Sequence, residues 1–124
     1  MAGLTFDTGA LVALERRRHR MRRVFATAVQ DNVRITVPTA VLAEWWRGRS
    51  DLAEDILAAV DVEPLDEGLA KAAGEAAAGI EGATAVDAIV MAAAARRGDV
   101  VYTSDFDDLA RWHTHFRAVR VLAV

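Results

Sequence analysis

Short apolar runs rich in β-branched residues alternate with longer helix-forming stretches along all 124 residues, and this alternation restricts the fold more than any other feature. Parallel strands cannot be joined by tight turns, so each neighbouring pair needs a crossover, usually a helix. The pattern predicts strands near Leu4 to Phe6, Arg34 to Val37, Val60 to Pro64, Val100 to Thr103 and Val119 to Leu122. Between them it predicts helices over Gly9 to Glu15, Arg17 to Gln30, Thr39 to Arg47, Asp51 to Ala59, Glu67 to Ala78, Ala85 to Arg97 and a short one over Asp107 to Trp112. The expected fold class is α/β, with three α/β/α layers around a central, mainly parallel sheet of about five strands. No linker, low-complexity tract or internal repeat breaks the pattern, so residues 1–124 read as a single domain.

Sites in such folds form beyond the carboxyl ends of the strands. Four acids occupy places of that kind. Asp7 ends the apolar run Leu4-Thr5-Phe6, and Glu44 interrupts Ala40-Val41-Leu42-Ala43 before Trp45-Trp46. Asp87 opens an alanine-rich helix, and Asp105 follows Val100-Val101-Tyr102-Thr103. A carboxylate in apolar surroundings is costly unless paired or coordinating a cation, and several together repel one another. The four are therefore read as a divalent-metal site assembled from the whole chain. With no cysteine, the ligands are oxygens and the cation a hard one, Mg²⁺ or Mn²⁺.

Each acid also has a structural reading. Asp7 suits a cap on the helix that follows it. Thr84-Ala85-Val86-Asp87 fits a capping box, and Ser104 with Asp107 can be read the same way. Glu44 lies on an apolar stripe with Val41 and Ala40, where the alternative to a cleft is an ion pair with Arg47 or Arg49. Asp31, Asp61, Glu63 and Asp99 flank strands in turn-like contexts, and no role is assigned to them.

The formal net charge of −3 excludes a protein that holds nucleic acid over a uniformly basic surface. Phosphate binding must be local, and the run Arg16-Arg17-Arg18-His19-Arg20-Met21-Arg22-Arg23 is the local source. On a helix, Met21, Val24 and Phe25 define an apolar side and leave Arg16, Arg20 and Arg23 together on another, suited to an RNA backbone as well as to plain solvation. Trp45, Trp46 and Trp112 read as core or interface residues. His19, His113 and His115 are poorly placed for a general base. No apolar run reaches the roughly 18 residues of a membrane span, and the start of the chain lacks signal-peptide features, so a cytoplasmic protein is expected.

Three motifs fail on context. Asp7-Thr8-Gly9-Ala10 matches the aspartic-protease tetrapeptide, but those enzymes are all-β. A haloacid-dehalogenase phosphatase needs an aspartate where Gly9 stands, and a receiver domain needs a lysine after its last functional strand, whereas Lys71 is the only lysine.

The chain resembles a PIN-domain ribonuclease of the VapC type, the toxin of bacterial toxin-antitoxin pairs. The resemblance runs through Phe6-Asp7-Thr8-Gly9-Ala10-Leu11, the stretch from Pro38 to Gly48, Val86-Asp87-Ala88, and the stretch from Val101 to Leu109. It implies a PIN-like fold and an acidic metal site of Asp7, Glu44, Asp87 and Asp105, with Asp108 in reserve for the fourth position. It further implies metal-dependent cleavage of RNA, a homodimer, and a cognate antitoxin that covers the acidic rim. Many relatives have serine where Gly9 stands, so hydroxyl help is expected from Thr8, with Thr103 supporting the strand end. A different class of function, a catalytically idle module whose acids receive a basic protein partner, stays open beside it.

Overall fold

The computed structural model describes residues 2–124 and shows three layers built on a five-stranded sheet. The strands are β1 (Leu4–Phe6), β2 (Ile35–Pro38), β3 (Asp61–Glu63), β4 (Val100–Thr103) and β5 (Arg120–Ala123). Their spatial order is β3-β2-β1-β4-β5, and all four pairings are parallel. The helices are α1 (Thr8–Glu15), α2 (His19–Gln30), α3 (Thr39–Trp45), α4 (Asp51–Ala58), α5 (Glu67–Ala78), α6 (Ala85–Arg97) and α7 (Phe106–Ala110), with a 3-10 turn over Arg111–Thr114. The α/β expectation stands, and the sheet is entirely parallel. Among the described residues, no helix is long and apolar enough to cross a membrane.

From β1 the chain first builds outward through β2 to β3, then returns to lay β4 on the other side of β1. The reversal opens a crevice at the carboxyl ends of β1 and β4, where open parallel sheets bind their ligands. The core forms around this centre. All four residues of β2 are buried, and α6 buries a continuous stretch from Ala88 to Ala94. Its many alanines carry no side chain beyond Cβ, which lets α6 lie closely between the sheet and α5, whose Ala73 and Ala76 are also buried. Gly98 ends α6 in the left-handed conformation, with φ of 72°.

Two sequence readings need correction. The predicted helix from Arg17 is broken: α1 stops at Glu15, and the Arg17 and Arg18 amides donate back to the Leu14 and Ala13 carbonyls. That double bond pattern requires a left-handed residue at position 17, where glycine is usual, and Arg17 takes it at φ 58°. Asp99 and Glu63 are not idle turn residues either. Asp99 is 2% exposed and accepts from the Gly3 amide (3.0 Å), the Thr5 hydroxyl (2.8 Å) and Arg97 Nε (2.8 Å). Arg97 also reaches Glu63, which Arg96 joins at 3.1 Å. Three donors satisfy the buried charge and tie the ends of α6 and β4 to β1.

Candidate metal centre

Asp7 stands where β1 gives way to α1. Its backbone is extended, and one carboxylate oxygen, Oδ1, accepts from the Ala10 amide at 2.8 Å, capping the helix. The other oxygen, Oδ2, accepts from the Thr103 hydroxyl at the end of β4. That hydroxyl oxygen also accepts from the Asp105 amide at 2.8 Å. One threonine thus joins two acid-bearing strand ends across the sheet. The carboxylate that caps the helix through Oδ1 thus keeps its second oxygen for the Thr103 hydroxyl at the end of β4.

The remaining acids approach from helices. Thr84 caps α6 by accepting from the Asp87 amide at 3.1 Å, and the half-buried Asp87 carboxyl lies near enough for its charge to act on Asp7. Glu44, exposed on α3, accepts from the Thr8 hydroxyl at 2.6 Å. The ion-pair alternative for Glu44 is not realised: Arg47 donates to the Ala43 and Trp46 carbonyls, and Arg49 pairs with Glu54. The Ser104 capping reading fails as well, since no side chain caps α7.

The charges of these acids act on one another. Burial pushes the Asp7 carboxyl up to about 6, against the Thr103 and Ala10 hydrogen bonds, and the charges of Asp87 and Asp105 push it further the same way. Asp87 is raised by burial and by the charges of Asp108 and Glu44, with Arg111 opposing. Asp105 is raised chiefly by its hydrogen bond with the Asp108 carboxyl, then by burial and by the charges of Asp108 and Asp87. The charges of Asp87 and Asp105 act on Asp7, and that of Asp108 acts on Asp87 and Asp105. Sequence reasoning missed Arg111, whose Nη1 donates to the Glu81 carbonyl at 2.9 Å and whose Nη2 lies 3.8 Å from Asp108. Its spacing three residues after Asp108 was the available signal.

These donors suit a hard divalent cation: all are carboxylate oxygens, mutually repelling, with one buried and reluctant to ionise alone. Among the described residues, however, no three of them converge closely enough to ligate a single ion. Electrostatics and distance together describe an open cluster. Asp7 is locked by its two hydrogen bonds, while Glu44 is turned toward Thr8 and Asp105 toward Asp108. Both of those carboxylates are exposed, so the donor chemistry suits a hard cation while the spacing observed is too open to ligate one.

Around the crevice, Gly9 is pressed against the turn after β4. A Cβ there would lie 1.7 Å from the Ser104 hydroxyl oxygen and 2.5 Å from the Ser104 Cβ. The Ser104 hydroxyl therefore occupies the space of a position-9 side chain, a role for Ser104 that the sequence did not reveal. Trp45 and Trp112 are buried and Trp46 half-buried, in line with the reading of the tryptophans as core or interface residues.

The basic run splits at Arg17. Arg16, Arg18 and Arg20 line a cavity with Thr8 and Ser104, whereas Arg17, Arg22 and Arg23 line another with Phe25 and Leu52. The predicted grouping of Arg16 and Arg20 holds, and Arg23 leaves it because residues 16–23 are not one helix.

The PIN domain family matches residues 4–112 of the chain. None of the curated proteins compared with it matches in sequence. Among solved structures, the fold is similar to a chain of DNA-bound VapBC from Salmonella typhimurium, at 18% identity and TM-score 0.74, covering 99% of this chain and 98% of that one. It is similar to VapBC2 from Rickettsia felis bound to a promoter DNA fragment, at 12% identity and TM-score 0.77, covering 98% of each. FitAB bound to the IR36 DNA fragment matches at 17% identity and TM-score 0.72, over 97% of this chain and 94% of that one. By the family match across most of its length, the chain belongs to the PIN domain family.

Proposed function

We propose that the chain is a metal-dependent endoribonuclease toxin of the VapC type, neutralised by a cognate antitoxin. The observation that carries this reading is the acid cluster in the crevice between β1 and β4, centred on a buried Asp7 pushed up to about 6 and tied through Thr103 to the strand bearing Asp105. Fold likeness to chains of VapBC and FitAB assemblies supports an antitoxin partner, and a homodimer is proposed on the sequence resemblance alone.

Asp7, Glu44, Asp87 and Asp105, with Asp108 beside them, would hold Mg²⁺ or Mn²⁺. When bound, such a cation supplies Lewis-acid chemistry, offsetting charge that builds on the phosphate and easing deprotonation of an attacking water. The chain's own residues do the positioning. Thr103 fixes which Asp7 oxygen faces the crevice, and Thr8 orients Glu44. As pH rises through about 6 Asp7 gains its negative charge, with Oδ1 committed to Ala10. No side chain is placed as a covalent nucleophile. The open spacing of the acids also fits an idle module whose rim receives a basic protein. Purified chain with total bacterial RNA separates the two: discrete fragments formed with Mn²⁺ or Mg²⁺ and abolished by EDTA support the nuclease, and intact RNA under both conditions favours the module.

A further inference from the structure

Beside the acid cluster lies a cavity of about 750 Å³ between α1, the turn into α2 and the end of β4. Arg16, Arg18, His19 and Arg20 line one side, and Thr8 and Ser104 line the side nearest the acids. No acidic side chain lines it, and among the described residues none of these three arginines has a carboxylate partner. All three are exposed. Three of the fifteen Lys and Arg residues line this one cavity in a chain whose net charge is −3, so positive charge is locally concentrated there.

We infer that this cavity seats the backbone phosphates next to the RNA bond being cut, with Arg16, Arg18 and Arg20 as their partners. The inference rests on the nuclease reading and adds where the strand runs. Guanidinium groups without internal partners offer forked donors matched to phosphate oxygens. Thr8 belongs to both places, lining the cavity while donating to Glu44 at 2.6 Å. A polyanion held there therefore continues directly to the acids. An acidic protein segment is the competing occupant, but the apolar lining is only Val12, Ala13 and Val124, with none of the aromatic or large aliphatic side chains that anchor protein partners.

The test uses the full chain in EDTA, with binding of a fluorescein-labelled oligouridylate followed by anisotropy against salt. An Arg16→Gln, Arg18→Gln, Arg20→Gln variant is compared with a charge-matched Arg22→Gln, Arg34→Gln, Arg117→Gln control. The seat requires about a tenfold or greater loss of affinity in the first variant, a salt slope shallower by about 2, and less than about a twofold change in the control. With Mn²⁺, the first variant should raise KM for RNA about tenfold while kcat stays within about twofold. Equal losses in both variants, an unchanged salt slope, or no RNA binding by the wild type overturns the seat. Competition by polyglutamate at the affinity of RNA assigns the cavity to an acidic protein instead. RNA binding without cleavage defeats the nuclease reading alone, and cleavage with an unchanged KM in the first variant defeats the seat alone.

Discussion

The Thr103 hydroxyl donates to Asp7 Oδ2 while its oxygen accepts from the Asp105 amide, so the acids at the ends of β1 and β4 are set by one side chain. Thr103 is fully buried, and its bond opposes the burial that raises Asp7. Thr103→Val keeps the shape and removes the hydroxyl. It should cost about 1–3 kcal/mol of stability by leaving the Asp105 amide unpaired. The Asp7 carboxyl should rise further above about 6, moving the acidic limb of the cleavage profile up by about one pH unit. Urea unfolding and a pH series of cleavage rates read the two effects.

Asp7 itself should destabilise the metal-free fold at neutral pH. Its folded pKa, about 6, lies above its ordinary 3.8, so the folded state holds the proton more tightly than the unfolded chain. Stability from this group falls as pH rises from about 4 to about 6, and the penalty is fully present above that window. The scale is on the order of 2–3 kcal/mol for a group this buried. Asp7→Asn should therefore be more stable than wild type in EDTA at pH 8 and lose that advantage by pH 4. Mn²⁺ should raise the Tm of wild type at pH 8 more than that of the variant.

Much of the scaffold was legible in the sequence, because buried parallel strands read as apolar runs and α6 as an alanine-rich helix with a threonine cap. Strand limits were within a residue or two. What escaped depended on contacts distant in sequence or on an unusual residue choice. Arg17 broke a helix where glycine would have announced the turn, and Asp99 looked like a turn residue until Gly3 and Thr5 were folded against it. Three of the acids share one rim because they follow strand ends or open a helix there, but their spacing stays too open to hold one ion. Ser104 gave no such signal, and Arg111 only its spacing three residues after Asp108.

Gly9 and Ser104 form a steric pair. Gly9→Ala should lower stability by about 1–3 kcal/mol despite the better helix propensity of alanine, since the new Cβ meets Ser104. Adding Ser104→Gly removes the obstructing side chain and should restore most of the loss. A double-mutant cycle by thermal unfolding reads a coupling energy of about 1 kcal/mol or more; independent, additive effects would show that the two do not press on each other.

Arg17 holds a left-handed conformation that costs a side chain about 1–2 kcal/mol relative to glycine. Arg17→Gly should raise stability by roughly 0.5–1 kcal/mol after the entropy of glycine in the unfolded chain is counted. Denaturant midpoints at high and low salt separate backbone relief from reduced repulsion among neighbouring arginines, because only the second fades with salt.

The central claim is tested most directly by the cleavage of total bacterial RNA with Mn²⁺ or Mg²⁺ by wild type, Asp7→Asn and Asp87→Asn proteins shown by circular dichroism to be folded. The expected result is discrete wild-type fragments that vanish with EDTA, with rates at least about a hundredfold lower in both variants. Cleavage that persists in the folded variants, or wild-type RNA left intact with either metal, would contradict a catalytic acid cluster at the ends of β1 and β4.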